Sequence, residues 1–370
     1  MQEMKKRRIV LASLLKPVND TRMFEKMGMS LAQSGQYEVH IVGYPSTAEI
    51  SEPNIQFHSL PKFKRLGLGR IGARLKVLQF VIKVKPEILL VTTHELLGVA
   101  ILFRIFFGAK IIYDIQENYG RNILYTNAFP RLIRALLAFF VRLKEWVAAP
   151  FFSRFLLAEK CYAKELGFVK NKFVVIENKC KVPQDFQRKP NNDFIQLIFT
   201  GTLAESTGVF QAINLVKKLQ AAEPKIRLTM IGYGAQRNVL EQIHSVVSQS
   251  PFITLVGGQD LVSHATIMHA IATANFGIIS YPMTPHIENK TPTKLFEYLA
   301  CQLPILLQDH KPWGEMCEPC HAAIQVDFDH PDMASILGKI HAEIFYSKEP
   351  EGMTWESEER KLLNLVHSIF

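Results

Sequence analysis

Residues 88–115 read ILLVTTHELLGVAILFRIFFGAKIIYDI. The stretch is apolar enough to raise a membrane span, but His94, Glu95, Arg104 and Lys110 interrupt it. It comes closest in the chain to a span, and no transmembrane helix is expected. Divided at its polar residues, the stretch becomes Ile88–Thr92, Leu96–Phe107 and Lys110–Tyr113. The short outer runs suit strands buried on both faces, and the longer middle run suits a helix. Strand, helix, strand is the unit of a parallel sheet covered by helices.

The same alternation extends outward in both directions. Ile9–Leu15 reads as a strand, and Asp20 as the cap of a helix over Thr21–Ser34 that Gly35 stops. Glu38–Val42 is the next strand, and Ile71–Lys85 a helix ended by Pro86. Beyond the quoted stretch come a helix over Arg131–Trp146 and strands at Phe151–Ala158 and Val174–Glu177. A polar segment with Pro183 and Pro190 then interrupts the pattern. It restarts with strands at Ile195–Phe199, Arg227–Ile231, Ile253–Val256, Phe276–Ser280 and Pro304–Leu307. Helices lie between them at Val209–Ala222, Asn238–Val247, His264–Ala272 and Thr293–Cys301. A chain of 370 residues exceeds one ordinary core. The reading is therefore α/β in two Rossmann-like domains, 1–180 and 194–350, with a linker at 181–193. Residues 351–370 form a C-terminal helix that packs back on the first domain. Two such domains facing each other leave a cleft at the carboxyl ends of their strands, where open α/β sheets bind ligands.

The net charge is +9, and the excess sits in the first half. Residues 53–86 hold no acid but carry Lys62, Lys64, Arg65, Arg70, Arg74, Lys76, Lys83 and Lys85. Residues 118–144 hold none either, but carry Arg121, Arg131, Arg134, Arg142 and Lys144. A basic balance points to anionic partners. In Pro130–Phe152 the cations alternate with Phe139, Phe140, Trp146, Phe151 and Phe152, a composition that lies in a membrane interface. An anionic membrane surface is thus an expected partner. Nucleic acid is not, because no RNA- or DNA-binding module is legible. Five scattered cysteines argue against a disulfide framework. Cys317-Glu-Pro-Cys320-His321 has haem-attachment spacing, but it reads as an ordinary loop. With no secretory signal, the expected location is cytoplasmic, peripheral on the inner face of the plasma membrane.

The segment Thr291-Pro-Thr-Lys-Leu-Phe-Glu297 carries the chemistry. Pro292 suits the first position of a helix. The free N–H groups of a first helical turn, together with the helix dipole, bind phosphate. Lys290 and Lys294 add positive charge, and Glu297, one turn on, is placed to accept two hydrogen bonds from a ribose diol. A nucleoside diphosphate needs both features side by side.

Here the chain resembles the GT-B glycosyltransferases, in particular the retaining, family 4-like group (glycosyl transferases group 1). Other motifs fit in the family's order. Phe199-Thr-Gly-Thr202 followed by Gly208 is similar to the first strand and loop of the donor domain. Leu228-Thr-Met-Ile-Gly232-Tyr-Gly234 is similar to its second strand and turn, and Val256-Gly-Gly258 to the loop at the nucleobase. In the first domain, Asn19-Asp-Thr-Arg22, Thr93-His94-Glu95 and Tyr113-Asp114-Ile-Gln116-Glu117 match the family's cleft loops.

The resemblance implies transfer of a sugar from a nucleotide-sugar donor to a glycan or lipid-linked acceptor, with retention, in cell-envelope polysaccharide assembly. It implies no cofactor and no metal. It gives the donor to Gly201, Thr202, Gly208, Gly232, Gly257, Lys290, Thr291, Pro292, Thr293, Lys294 and Glu297. His94, Glu117 and Glu288 take catalytic roles, and Arg22, Asp114 and Gln116 line the acceptor side. Three places depart from the pattern, one of them Gln116, where the family commonly has histidine. Asn289 stands eight residues before Glu297 where the family has glutamate, with Glu288 beside it. The Gly208 loop reads Ala-Glu-Ser-Thr-Gly, without the family's Arg and Lys. A catalytically silent binding or scaffold subunit and a GT-B nucleotide-sugar epimerase therefore stay open as alternatives.

Overall fold

The computed structural model describes residues 6–46, 50–61, 63, 69–125, 129–285 and 287–369. Lys62, Lys64 and Arg65 of the basic stretch lie outside them. The chain forms two compact units. One is Met1–Asn178 with Trp355–Phe370, the other Lys179–Thr354.

In the first unit seven strands form one parallel sheet: β1 (Arg7–Pro17), β2 (Tyr37–Tyr44), β3 (Ile55–Ser59), β4 (Ile88–Val91), β5 (Lys110–Ile115), β6 (Arg154–Leu157) and β7 (Phe173–Val175). Their order is β3-β2-β1-β4-β5-β6-β7, so the winding reverses between β1 and β4. Continuous apolar runs such as Ile9–Leu14 are covered on both faces. On one face helices Gly69–Val84, Leu97–Phe107 and Arg131–Ala148 bury Val77, Val81, Ala100, Phe103 and Ala148. On the other, Met23, Met27 and Leu31 pack with Trp355, Leu362 and Val366 of the C-terminal segment. Helix Glu356–Ser368 thus belongs to this unit, as the sequence reading held. The indole of Trp355 donates to Ser30 Oγ at 2.9 Å, and Glu177 N donates to the buried Glu358 carboxylate at 3.1 Å.

The second unit has six parallel strands: β8 (Ile195–Thr202), β9 (Ile226–Tyr233), β10 (Ile253–Gly258), β11 (Phe276–Ile279), β12 (Ile305–Gln308) and β13 (Ala323–Val326). The order β10-β9-β8-β11-β12-β13 reverses between β8 and β11.

Three readings change. Residues 181–193, read as a linker, are part of the second unit. Val182 and Phe186 pack on its core, and Arg188 Nη1 and Lys189 N donate to the carbonyls of Ile271 and Ala272 at 2.6 and 2.8 Å. Prolines and polar residues there mark a surface segment tied down by backbone bonds. The helix after Asp20 opens as a π-helical turn over Thr21–Gly28 before continuing as α-helix Met29–Gln33. Strand β13 and helices Tyr119–Tyr125, Lys311–Cys317 and Met333–Ala342 occupy stretches the sequence left unassigned. Cys317 and Cys320 sit at the end of Lys311–Cys317, both buried. Burial pushes the Cys317 thiol up to about 12.

Candidate active site

The second unit's site begins where β8 ends. Gly201, Gly232 and Gly257 stand in register across β8, β9 and β10. A Cβ on Gly232 would lie 1.6 Å from Gly201 O, so this row is glycine because the backbones crowd one another. Gly201 is different. It has φ +96°, and a Cβ there meets nothing within 4 Å, which leaves its backbone open to a ligand. Gly208, expected to admit phosphate, has a packing reason instead. A Cβ would lie 1.7 Å from Ser280 O, and Ser280 Oγ donates to Gly208 O at 2.7 Å. Thr202 is exposed beside this loop, its carbonyl accepting from Thr207 Oγ1 at 2.7 Å.

Helix Thr293–Ala300 packs on the same strand end, with Pro292 as its N-cap. Tyr298 and Thr200 share a hydroxyl hydrogen bond of 2.9 Å. Lys294 lies one turn before Tyr298 on the inward face, so its stem enters the core. Its Nζ sits 3.9 Å from the ring centre of Phe199 and 5.0 Å from that of Tyr281. It is buried and has no hydrogen-bond partner among the described residues. Burial lowers its pKa to about 7, against the pull of Glu297. Glu297 is largely covered and lies 3.7 Å from His264 Nε2 at the start of helix His264–Thr273. Sequence reasoning missed His264, whose proximity only the fold creates.

The loop before this helix is held from behind. His310 Nε2 lies 3.0 Å from Glu288 O, and Trp313 Nε1 donates to Lys290 O at 2.7 Å. The two rings pack 4.2 Å apart. Glu288 and Asn289 are exposed, and Lys290, Thr291 and Thr293 are partly covered. Trp313 and His310 carried no local motif that marked them.

In the first unit the candidate residues follow the carboxyl ends of β1, β4 and β5. The Arg22 guanidinium clamps Asp114 at 2.7 and 3.0 Å, both groups buried. Gln116 Nε2 adds a third bond to Asp114 at 2.8 Å. The structure thus gathers Arg22, Asp114 and Gln116, but the Asp114 carboxylate is occupied by its neighbours rather than free to orient an acceptor. Asp20 accepts from the N–H groups of Arg22 and Met23 and caps the turn that presents the arginine. Glu117 is exposed and pairs with Asn122.

His94 lies 3.0 Å from Lys144 Nζ through Nδ1, and its Nε2 faces Glu95 Oε1 at 3.6 Å. Tyr119 packs edge-on against it, and Arg70 pairs with the buried Glu95. Burial, with help from Lys144, Arg70 and Arg74, holds His94 down to about 4, so its imidazole is neutral at pH 7. Burial also lowers Lys144 to about 8. An ammonium donating to Nδ1 leaves the Nε2 proton directed at Glu95, an arrangement suited to positioning rather than to accepting a proton. Behind it, Glu145 accepts from Tyr113 at 3.1 Å and from Arg142 at 2.9 Å, and burial raises its carboxyl to about 7.

Two parallel-sheet Rossmann-like units with these windings define the GT-B architecture. Over its whole length the chain is similar to sucrose-phosphate synthase from Thermosynechococcus elongatus, with a TM-score of 0.73, 13% identity and 99% of each chain covered. It is similar to the catalytic domain of Arabidopsis thaliana starch synthase IV bound to ADP and acarbose, at 0.69, 10% and 99% of each chain. It is also similar to Anabaena HepE in complex with UDP and glucose, at 0.65 and 10%, covering 98% of this chain and 100% of that one. A search of curated protein sequences finds no match. Residues 182–337 match the family of glycosyl transferases group 1. That match lies within the second unit, and the chain as a whole has the GT-B fold.

Proposed function

We propose that this protein transfers a sugar from a nucleotide-sugar donor to a glycan or lipid-linked acceptor, with retention, in the cytoplasmic stages of cell-envelope polysaccharide assembly. The observation that carries the reading is the junction of Gly201 with helix Thr293–Ala300 at the β8/β11 winding switch. There an open backbone, a helix N-terminus, a buried amine and a carboxylate meet. In this reading the diphosphate lies against the first-turn N–H groups and takes charge compensation from Lys290 and Lys294, without a metal ion. Glu297 exchanges His264 for the ribose hydroxyls. The leaving diphosphate is stabilised electrostatically while the acceptor hydroxyl attacks from the same face. His94 and Arg22 act on the acceptor side through position. The complexes of the similar proteins with ADP and with UDP and glucose support a nucleotide in this kind of fold.

The test is a thermal-shift screen with UDP, GDP, ADP, CMP and their sugars, repeated on Glu297→Ala. A ligand that binds only the folded state raises its stability by mass action. One base should stabilise the protein, and the substitution should remove that effect. A ligand-independent melting point across all nucleotides would sink the reading. Asn289 and the full engagement of Asp114 favour a second reading, a nucleotide-binding but catalytically silent subunit. Selective nucleotide binding without sugar transfer or donor hydrolysis would select it.

A further inference from the structure

Helices Gly69–Val84, Leu97–Phe107 and Arg131–Ala148 each bury one apolar stripe against the first sheet. Their outer sides are apolar as well. Leu132 is 96% exposed, Phe106 75% and Phe139 60%, with Leu136, Phe140 and Trp146 each about half exposed. Every large hydrophobic residue exposed among the described residues of the first unit lies between Ile71 and Val147, on these helices and on Tyr119–Tyr125. The described residues of the second unit expose four, scattered: Tyr233, Leu261, Met283 and Ile344. A concentration of this kind marks an interaction surface.

The exposed charges on these helices have one sign. Lys76, Lys83 and Arg131 are exposed and Arg70, Arg74, Arg104 and Arg134 partly so. Glu145, the only acid in the four helices, is 2% exposed and held by Arg142 and Tyr113. A second copy docked on this face would set the basic residues of two sets of helices together, with no exposed carboxylate on the helices to pair them. No described helix is long and apolar enough to cross a bilayer. Apolar and aromatic side chains within a cationic rim match the boundary of an anionic bilayer, which takes the rings at headgroup depth and pairs the cations with phosphates. We propose that the outer face of these helices seats the first unit on an anionic membrane surface, as a monotopic contact. The seat does not depend on the glycosyltransferase reading.

The full-length chain is mixed with phosphatidylcholine vesicles, with and without about 30% phosphatidylglycerol, and binding is read by co-sedimentation and by the emission of Trp146. Trp313 and Trp355 are buried, so a shift to shorter wavelength reports on Trp146. The wild type should bind the anionic vesicles with a blue shift, and high salt should weaken that binding. Leu132→Ser/Leu136→Ser/Phe139→Ser and Lys76→Glu/Lys83→Glu/Arg131→Glu should each lower the affinity about tenfold or more. All six positions are exposed, so both variants should keep the wild-type melting point. The proposal is overturned if the wild type stays in the supernatant with both vesicles, or if both folded variants bind as it does. It is equally overturned if the chain is a dimer that the serine variant dissociates while no vesicle is bound.

Discussion

Replacing Lys294 by Met should make the ligand-free protein more stable and its nucleotide binding weaker. The ammonium is buried between Phe199 and Tyr281 with no hydrogen-bond acceptor among the described residues. Its pKa falls from the ordinary 10.5 to about 7. The unfolded chain keeps the proton up to 10.5 and the folded chain releases it above about 7. Stability therefore rises with pH across that window, and the burden is complete below it. At 1.36 kcal/mol per pKa unit the burden is at most ~5 kcal/mol. The two ring contacts return about 2 kcal/mol, so Lys294→Met should gain about 3 kcal/mol near pH 7 and almost nothing near pH 10. A bound diphosphate would restore the charge, so binding should take up close to one proton at pH 8.5. Urea unfolding across pH 6–10 reads the first effect, and calorimetry in two buffers of different ionisation enthalpy reads the second. The methionine variant should abolish the proton uptake and weaken nucleotide binding about tenfold to a hundredfold, the worth of one charge-assisted hydrogen bond. A variant less stable than wild type at pH 7, with unchanged nucleotide affinity, would refute this reasoning and leave Lys294 a core residue.

Other substitutions follow from single contacts. Trp313→Phe keeps the ring against His310 but removes the donor to Lys290 O. It should cost about 1 kcal/mol of stability and raise the donor KM several-fold with little change in kcat, in steady-state kinetics. Asp114→Asn takes the anion from a buried bidentate pair with Arg22, and denaturant unfolding should show a loss of about 3–5 kcal/mol. Glu145 ionises at about 7 in the folded chain and at 4.5 in the unfolded one. Its stabilising share is thus complete below pH 4.5 and lost as pH rises through 7, up to ~3 kcal/mol. Glu145→Gln should flatten that fall in unfolding midpoints measured from pH 4.5 to 8.

The parallel, doubly covered character of each sheet was legible because its strands are apolar runs, such as Ile9–Ala12 and Ile88–Val91, that a sheet buried on both faces accommodates. The helix Thr293–Ala300 was legible from Pro292 and the residues after it, with Lys294 and Glu297 within its first two turns. The spacing did not show that Lys294 is buried, because Tyr298 and Leu295 turn that side of the helix inward. Gly208 was read as room for phosphate, although its freedom serves a backbone contact with Ser280, 72 residues away.

Local sequence therefore determined what depends on neighbours along the chain: strand and helix identity, the presence of two α/β units, and the basic, aromatic character of residues 130–152. Tertiary structure alone decided which charges meet. His264 with Glu297, Arg22 with Asp114, Lys144 with His94 and Trp313 with Lys290 are pairs separated by 33, 92, 50 and 23 residues. No periodicity encodes such pairs. They arise when strand ends are stacked side by side, and burial then fixes the protonation that their separate positions left undetermined.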